Sequence, residues 1–294
     1  MKKNNNKKIA NVNSIYVDVN FRFGNLIAFV NKLIYYCEII HCKYIIFNEN
    51  KFWFFNKSIN VTFRNITFRV GNISDYNNSC VLDGKPWTIY KDFFNIKPEI
   101  KIHYFRNEIL SNLPKVKISK NDLFIHIRSG NVFKSYIHSY YSQPPFCFYE
   151  NILKKFNYTK IFLIAQNAYN PVVNKLIKKF PSILYTESSI KKDISLLINA
   201  YRIVCSISSF LAAILQLNNN IEYLWDFNIY RNEEKLRHFH YDFNDLPHNN
   251  FSIFRMEPSN IYRMKMYEWK NSKSQIKLMF KDKCNNDFII IKKF

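Results

Sequence analysis

Glycine is scarce in this chain, which has four glycines in 294 residues. Neither a P-loop nor a G-x-G-x-x-G fingerprint occurs, so the glycine-rich phosphate loops of ATPases and dinucleotide-binding enzymes are not supported. H-E-x-x-H and G-x-S-x-G are also missing, which argues against zinc peptidases and α/β-type serine hydrolases. With so few glycines, Gly24 and Gly130 stand out as positions where the backbone turns tightly or approaches a ligand.

Acidic residues are also few: 22 against 43 lysines and arginines, for a formal charge of +21. A basic surface attracts polyanions such as nucleic acid, an anionic membrane or a nucleoside diphosphate. The lysines are dispersed and no zinc-finger, leucine-zipper or RNA-recognition signature occurs, so we expect no specific nucleic-acid partner. No D-x-D sequence occurs, so a divalent metal is not required to hold a diphosphate, and we expect no metal site and no cofactor.

The six cysteines include no C-x-x-C pair, which makes a zinc site unexpected. Cys205 lies in a predicted buried strand and reads as a core thiol. Cys37 and Cys42 flank one end of a predicted helix, where a disulfide is possible, and the redox compartment stays open.

No membrane or secretory segment is predicted. Residues 1–8 lack an apolar signal region, and the most apolar window, residues 203–217, is too short to span a bilayer. These features favour a cytoplasmic location, and a secretory or Golgi location stays open if the N-terminus is incomplete.

The chain begins with a β-loop-α-β pattern. Residues 15–19 and 44–47 read as strands, and residues 26–41 between them as a helix, which is typical of a doubly wound sheet. Residues 51–113 carry no recognisable motif and are expected to complete a first domain with irregular strands and helices. The polar stretch 112–121 reads as a linker, so we predict domains at 1–118 and 119–294.

The second half alternates strands and helices more regularly, which predicts a second Rossmann-like domain. Asn170 and Pro171 supply a cap and a first-turn proline for one of its helices. Residues 261–279 predict a single amphipathic helix. The expected strands are 123–127, 160–165, 182–186, 203–205 and 222–225, and the expected helices 148–156, 171–180, 190–202 and 208–217.

The segment Asp122-Leu-Phe-Ile-His-Ile-Arg-Ser-Gly130 is the most informative motif. A short buried strand delivers His126 and Arg128 to a glycine-containing loop, and open α/β sheets bind ligands at such carboxyl ends. The planar fork of arginine donates two parallel hydrogen bonds to a phosphate. The alternative is an edge strand that ends in a solvated arginine.

A second motif runs from Asp193 to Leu217. Ser208 and Ser209 precede a helix, whose free N–H groups and partial positive charge suit a phosphate. The alternative is that both serines merely cap the helix, as Asp193 would cap the helix before it.

Together these motifs resemble the fucosyltransferase superfamily. Its H-x-R-x-G segment matches His126, Arg128 and Gly130, and its aspartate followed by a serine pair matches Asp193 with Ser208 and Ser209. A third match is Arg22-Phe-Gly24-Asn25 and the helix after it, similar to the family's G-x-G-N loop. The resemblance covers residues 14–50 and 120–230.

The resemblance implies a GT-B-like α/β fold, in which two Rossmann-like domains face each other across a cleft. It implies a metal-independent, inverting glycosyltransferase that transfers fucose from GDP-fucose to a hydroxyl of a glycan or glycoprotein. Arg128 would be catalytic and grip the β-phosphate. The substrate-binding residues would be His126 and Asp193 at the guanosine, Ser208, Ser209 and the Phe210 backbone at the phosphates, Gly130 in the motif loop, and Gly24 and Asn25 in the cleft.

The chain departs from the family pattern at two positions: Asn131 stands where an acidic residue is usual, and Arg22 replaces the first glycine of the N-terminal loop. These departures suggest one alternative, a non-catalytic nucleotide- or glycan-binding protein on the same scaffold. A second alternative is a glycosyltransferase that uses another nucleotide sugar as donor. The base that would activate the acceptor is not identified by the sequence, and the candidates are His138, Glu150 and Asp18.

Overall fold

A computed structural model gives the fold, and it divides the chain into two compact units, Met1–Leu113 and Pro114–Phe294. Each unit is built around a mainly parallel sheet with helical connections, so the expected α/β class is confirmed. The structure describes residues 13–19, 22–55, 60–63, 65–72, 80–83, 105–134, 139–185, 188–229, 246, 250–284 and 287–293.

The first unit contains a five-stranded sheet. Its elements are β1 (Ser14–Asp18), α1 (Phe23–Ile39), β2 (Tyr44–Asn48), β3 (Asn60–Phe63), β4 (Ile66–Gly71), β5 (Cys80–Asp83) and α2 (Arg106–Ser111). The strand order is β3-β4-β2-β1-β5, with β3 antiparallel at the edge and the remaining strands parallel. The order reverses between β1 and β5, which makes that position the switch point of this sheet.

The N-terminal loop prediction is wrong, because α1 begins at Phe23. Gly24 and Asn25 therefore lie in the first helical turn, where Gly24 is buried and Asn25 is exposed. The Phe23 ring is buried and meets the Phe54 ring edge-on, with 5.2 Å between centroids, so burial of this side chain starts the helix early. Gly24 consequently makes no tight turn.

The second unit contains a seven-stranded sheet, in the order β12-β11-β10-β9-β6-β7-β8. Its strands are β6 (Leu123–His126), β7 (Ile161–Ile164), β8 (Ile183–Tyr185), β9 (Arg202–Val204), β10 (Tyr223–Phe227), β11 (Phe251–Met256) and β12 (Ile289–Lys293). Its helices are α3 (Phe146–Lys155), α4 (Pro171–Lys179), α5 (Ile190–Asn199), α6 (Ser209–Leu217), α7 (Asn260–Met266) and α8 (Lys273–Lys281).

Six parallel strands of this sheet follow the order of a dinucleotide-binding fold, and β12 adds an antiparallel edge. The chain moves outward from β6 through β7 to β8, then crosses back to β9 on the other side of β6. The switch point therefore lies between β6 and β9, and both motifs of the sequence analysis follow one of these two strands. Every side chain of β6 is buried, as expected for a central strand.

The prediction of a single helix over residues 261–279 is wrong. Residues 260–281 form two helices, because Asn271 adopts a left-handed backbone with φ of 49° and Ser272 starts α8 with a capping box to Gln275. Strands β11 and β12 were not predicted at all. Among the described residues, no helix combines the length and apolar composition needed to cross a membrane.

The cysteines pair differently from the expectation. Cys37 and Cys42 are free and buried, whereas Cys147 at the start of α3 and Cys284 after α8 form a disulfide. Cys205 is a buried free thiol, which confirms its assignment to the core. In the described part of the chain, the group of side chains close enough to share a metal ion is Cys147, Cys284 and Asp282, and the disulfide engages both sulfurs.

Candidate functional site

His126 ends β6 at the switch point and is 5% exposed. Its Nδ1 lies 2.9 Å from Oγ of Ser206, in the loop after β9, and its ring stacks on Phe210 of α6 with centroids 5.6 Å apart. Burial, with a smaller contribution from the charge of Arg128, lowers the pKa of His126 to about 3. The imidazole is therefore neutral at physiological pH and offers one hydrogen-bond donor and one acceptor.

Arg128 lies two residues beyond the strand and is half-buried. Its backbone N–H donates to Oγ of Ser206 at 3.0 Å, and its Nη2 donates to Oδ1 of Asn131 at 2.8 Å. The guanidinium carbon lies 5.0 Å from the ring centroid of Tyr141, a cation–π arrangement. These contacts hold a permanent positive charge at the carboxyl edge of the sheet, so the solvated-arginine alternative does not describe this side chain.

Gly130 provides the turn that the motif predicts. Its φ is +78°, a left-handed backbone that strains any residue with a side chain, and an added Cβ would also displace the end of the Gln166 side chain. Its N–H donates to Oδ1 of Asn167 at 3.1 Å, and Ser129 Oγ donates to the same oxygen at 2.8 Å. The loop after β7 therefore fixes the loop after β6.

Asn170 adds a second brace from the same direction. Its Nδ2 donates to the carbonyl oxygen of Arg128 at 3.0 Å and to Oε1 of the buried Gln143 at 3.2 Å. Its Oδ1 accepts from the Val172 N–H at 3.0 Å, which confirms the predicted cap before Pro171. One residue thus begins α4 and positions the backbone of the candidate catalytic arginine.

The N-terminus of α6 lies on the other side of the switch point. Ser208 caps the helix, because its Oγ accepts from the Phe210 N–H at 3.2 Å. This contact supports the capping alternative for Ser208, and a phosphate at the Phe210 amide would have to share that donor. Ser209 is the first helical residue and is half-buried.

Asp193 lies in the first turn of α5, and its carboxylate accepts from the Ser188 hydroxyl. The cap of this helix is Ser189, whose side chain accepts from the Lys192 N–H, so the capping alternative for Asp193 is wrong. Burial raises the pKa of Asp193 to about 6, against the opposing hydrogen bond from Ser188. The helices α5 and α6 both start at the carboxyl edge of the sheet and pack side by side, which places Asp193 and Ser209 at neighbouring helix starts.

Two of the three candidate bases, Glu150 and Asp18, lie among the described residues. The Glu150 carboxylate accepts from Lys179 at 2.5 Å and from Lys154 at 2.6 Å. Burial raises the pKa of Glu150, but the two lysines outweigh it and leave the pKa below its ordinary value, so this residue is a poor base. Asp18 accepts from Asn48 at 3.1 Å in the first unit. His138 falls outside the described residues.

Three residues that hold the site together were not predicted from the sequence: Ser206, Asn167 and Tyr141. Ser206 is buried and contacts both His126 and Arg128, although it has the same short polar character as its neighbours in the Ser206-Ile-Ser-Ser209 run. Its position directly after a predicted buried strand was the available signal. Asn167 and Tyr141 carry no comparable sequence signal.

Comparison with known proteins gives fold similarity at low sequence identity. No protein-family model and no curated protein matches the chain. Matching solved structures include NodZ α1,6-fucosyltransferase soaked with GDP-fucose, which is 12% identical with a TM-score of 0.41 over 70% of this chain and 93% of its own.

Two further structures match at the same level of identity. Selenomethionine NodZ from Bradyrhizobium is 12% identical, with a TM-score of 0.39 over 70% of this chain and 92% of its own. Escherichia coli heptosyltransferase WaaC with ADP is 12% identical, with a TM-score of 0.42 over 90% of this chain and 95% of its own. These TM-scores are low, so we infer the function from the residues of the switch point.

Proposed function

We propose that this protein is a glycosyltransferase that uses a nucleoside-diphosphate sugar, and that its donor is GDP-fucose. The observation that carries the proposal is the position of Arg128 and the α6 N-terminus on the two sides of one switch point. Both groups are positive, both are fixed by hydrogen bonds, and open α/β sheets bind nucleotides at this position. The match to H-x-R-x-G at the same loop favours the fucosyl donor.

Transfer breaks the bond between the sugar's anomeric carbon and the β-phosphate oxygen, and forms a bond from that carbon to an acceptor hydroxyl oxygen. The hydroxyl proton leaves to water or to the departing diphosphate. Negative charge develops on the departing diphosphate. Arg128 would neutralise this charge with its planar fork, and the dipole of α6 would add to the same effect. Electrostatic stabilisation of this kind is commonly the largest single contribution to an enzymatic rate.

The neutral state of His126 suits a binding role rather than a second cationic one. The pKa of about 3 keeps its imidazole uncharged. A neutral ring hydrogen-bonded to Ser206 can contact a ribose or phosphate oxygen without repelling Arg128, which lies two residues away. His126 therefore would orient the donor, and Arg128 would carry the charge.

Asp193 would distinguish guanine from other bases. Guanine presents two adjacent donors, N1–H and the N2 amine, and one carboxylate can accept both. Adenine and uracil present no such pair. The raised pKa of Asp193 fits a half-buried carboxylate whose charge lacks full solvation. The substrate-binding roles of Gly24 and Asn25 rest on the family resemblance alone, and so does the acceptor site.

Asn131 bears on the non-catalytic alternative. Its Oδ1 accepts a hydrogen bond from Arg128, which is what an acidic residue at this position could also do. The departure from the family pattern therefore preserves a restraint on the arginine, so Asn131 does not by itself argue for a binding-only role.

Turnover of a panel of nucleotide sugars tests the proposal. We expect release of GDP from GDP-fucose, and much slower release from UDP- and ADP-sugars, in buffer containing excess EDTA. Loss of activity in EDTA that manganese restores would contradict the metal-independent mechanism. Preference for another donor would support the general transferase and reject fucose, and binding of all donors without turnover would support the non-catalytic alternative.

A further inference from the structure

The outward face of α7 and α8, together with the turn between them, exposes three large apolar side chains. Ile261 is 63% exposed, Met264 79% and Tyr267 42%. Buried residues of the same two helices, including Tyr262, Met266 and Met279, face the core, so this outward face is the solvent side of a well-anchored pair. We call it the α7–α8 surface.

Lysines lie beside two of these apolar residues, Met264 and Tyr267, in the lining of one groove. Lys273, Lys277 and Lys281 are exposed and recur every four residues on α8, so they form one stripe along the helix. Like charges at this spacing destabilise a helix by themselves, and an anionic partner would relieve the repulsion. No acidic residue occurs within α8.

The two helices enclose an open groove of about 680 Å³, whose lining includes Met264, Tyr267, Lys277 and Lys281. Lys265 and Lys270 extend the positive charge around it. Glu268 is the acidic residue of the lining and forms an ion pair with Lys270 at 3.3 Å. The surface therefore combines apolar side chains with an excess of positive charge.

We propose that the α7–α8 surface docks on an anionic lipid bilayer, with Ile261 and Met264 inserted at the interface and the lysine stripe at the headgroups. Membrane-surface helices combine these two features, and tyrosine is enriched at the headgroup level. A second copy of this chain is a poor partner for this surface, because a two-fold symmetric contact would place the lysines of one copy against those of the other. Nucleic acid would engage the lysines but leave Ile261 and Met264 exposed.

The surface connects directly to the candidate site. Trp269, in the turn between α7 and α8, is fully buried and donates from Nε1 to the carbonyl oxygen of Val132 at 2.8 Å. Its ring meets Phe133 edge-on, with centroids 5.3 Å apart. Val132 and Phe133 directly follow the Gly130 turn, so a docked surface would hold the Arg128 loop near the bilayer. The docking itself does not depend on the proposed transferase activity.

Vesicle sedimentation with the full chain tests the proposal. We expect binding to phosphatidylcholine vesicles that contain phosphatidylglycerol, and none to phosphatidylcholine alone. Replacing Lys273, Lys277 and Lys281 by glutamine should lower the partition coefficient roughly 100-fold, as expected for three lysines near an anionic surface. Replacing Ile261 and Met264 by serine should also weaken binding and leave a remainder that salt abolishes.

A matched control carries the same charge change on exposed lysines elsewhere in the second unit, Lys115, Lys117 and Lys160. It should bind like the wild type, and all variants should unfold at the wild-type temperature. If both lysine variants lost the same amount of vesicle binding, net charge alone would explain the effect and the proposal would be overturned. Unchanged vesicle binding after the serine replacements would also overturn the proposal. If the lysine replacements on α8 also lowered heparin binding, the surface would be a general polyanion-binding surface.

Hydrogen exchange on the unmodified protein gives a second measurement that needs no variant. Residues 261–281 should be protected when anionic vesicles are added. Protection confined to other segments would overturn the assignment.

Discussion

Ser206 Oγ lies 2.9 Å from Nδ1 of His126 and 3.0 Å from the backbone nitrogen of Arg128. One hydroxyl after β9 therefore contacts two candidate site residues at the end of β6. Strands β6 and β9 are neighbours in the sheet but far apart in sequence, so this contact links the two sides of the switch point. The geometry of the site depends on the Ser206 hydroxyl, because it fixes the ring of His126 and the backbone that carries the Arg128 guanidinium.

We expect Ser206→Ala to impair the site more than the fold. The change removes the partner of the buried His126 ring and of the half-buried Arg128 N–H, and should cost about 1–3 kcal/mol of unfolding free energy. Ser195→Ala is a matched control, because Ser195 is also buried in this unit and donates to the carbonyl oxygen of Pro114. Both variants should lose stability in urea titrations, while calorimetry should show weaker GDP binding for Ser206→Ala alone.

Arg128→Ala should reduce transfer by roughly 10²- to 10³-fold, about 2.7–4 kcal/mol, as for the loss of one oxyanion donor. Arg128→Lys should recover little of this, because a point charge cannot replace the guanidinium fork. Steady-state kinetics of GDP release measure both effects.

Arg202 provides an unusually close control for Arg128. Its Nη2 donates to Oδ1 of Asn121 at 2.8 Å and its guanidinium lies 5.0 Å from the Tyr223 ring centroid, but it starts β9 at the opposite edge of the sheet. Arg202→Ala should leave turnover near the wild-type value. Equal losses in Arg128→Ala and Arg202→Ala would mean that the arginine acts through stability.

The buried His126 should make the fold sensitive to acid. Its pKa falls from the ordinary 6.5 to about 3 on folding, so the unfolded chain binds a proton between these values while the folded chain does not. Stability from this residue is therefore lost as pH falls through this window, by about 3 kcal/mol at pH 4.5. His126→Gln should flatten the pH dependence of urea unfolding.

GDP affinity should depend on the ionisation of Asp193. The pKa of about 6 means that the carboxylate protonates as pH falls below neutrality, and a protonated carboxyl cannot accept both guanine donors. Binding should weaken roughly tenfold between pH 7 and pH 5. Asp193→Asn should remove this dependence and narrow the preference for GDP over ADP in calorimetry. A wild type that binds GDP, ADP and UDP equally would contradict the role of Asp193 and the GDP-sugar assignment.

The Cys147–Cys284 disulfide should stabilise the second unit. It joins residues 137 apart in sequence, and its removal should lower the unfolding free energy by about 2–4 kcal/mol. Thermal unfolding of the wild type should shift downward in reductant. The Cys147→Ser, Cys284→Ser double variant should unfold at the lower temperature with or without reductant, and any remaining reductant effect would assign the bond elsewhere.

The sequence alone was sufficient for the elements whose signals are local. Hydrophobic runs of strand length located β6, β7 and β9, and the Asn170-Pro171 pair located the start of α4. The His126–Gly130 motif predicted a ligand loop, and the positive φ of Gly130 is a conformation that glycine adopts more readily than other residues. These features are encoded within a few consecutive residues, so no distant partner is needed to specify them.

Tertiary structure decided what depends on distant partners. Ser206 became a site residue only because β9 returns to lie beside β6, and Asn167 because the loop after β7 reaches Gly130. The Cys147–Cys284 pairing likewise follows from packing across 137 residues and is not readable from cysteine spacing. Helix α1 began earlier than predicted because Phe23 is buried against Phe54. Contacts between segments far apart in the chain carry no local pattern, so the folded chain alone determines them.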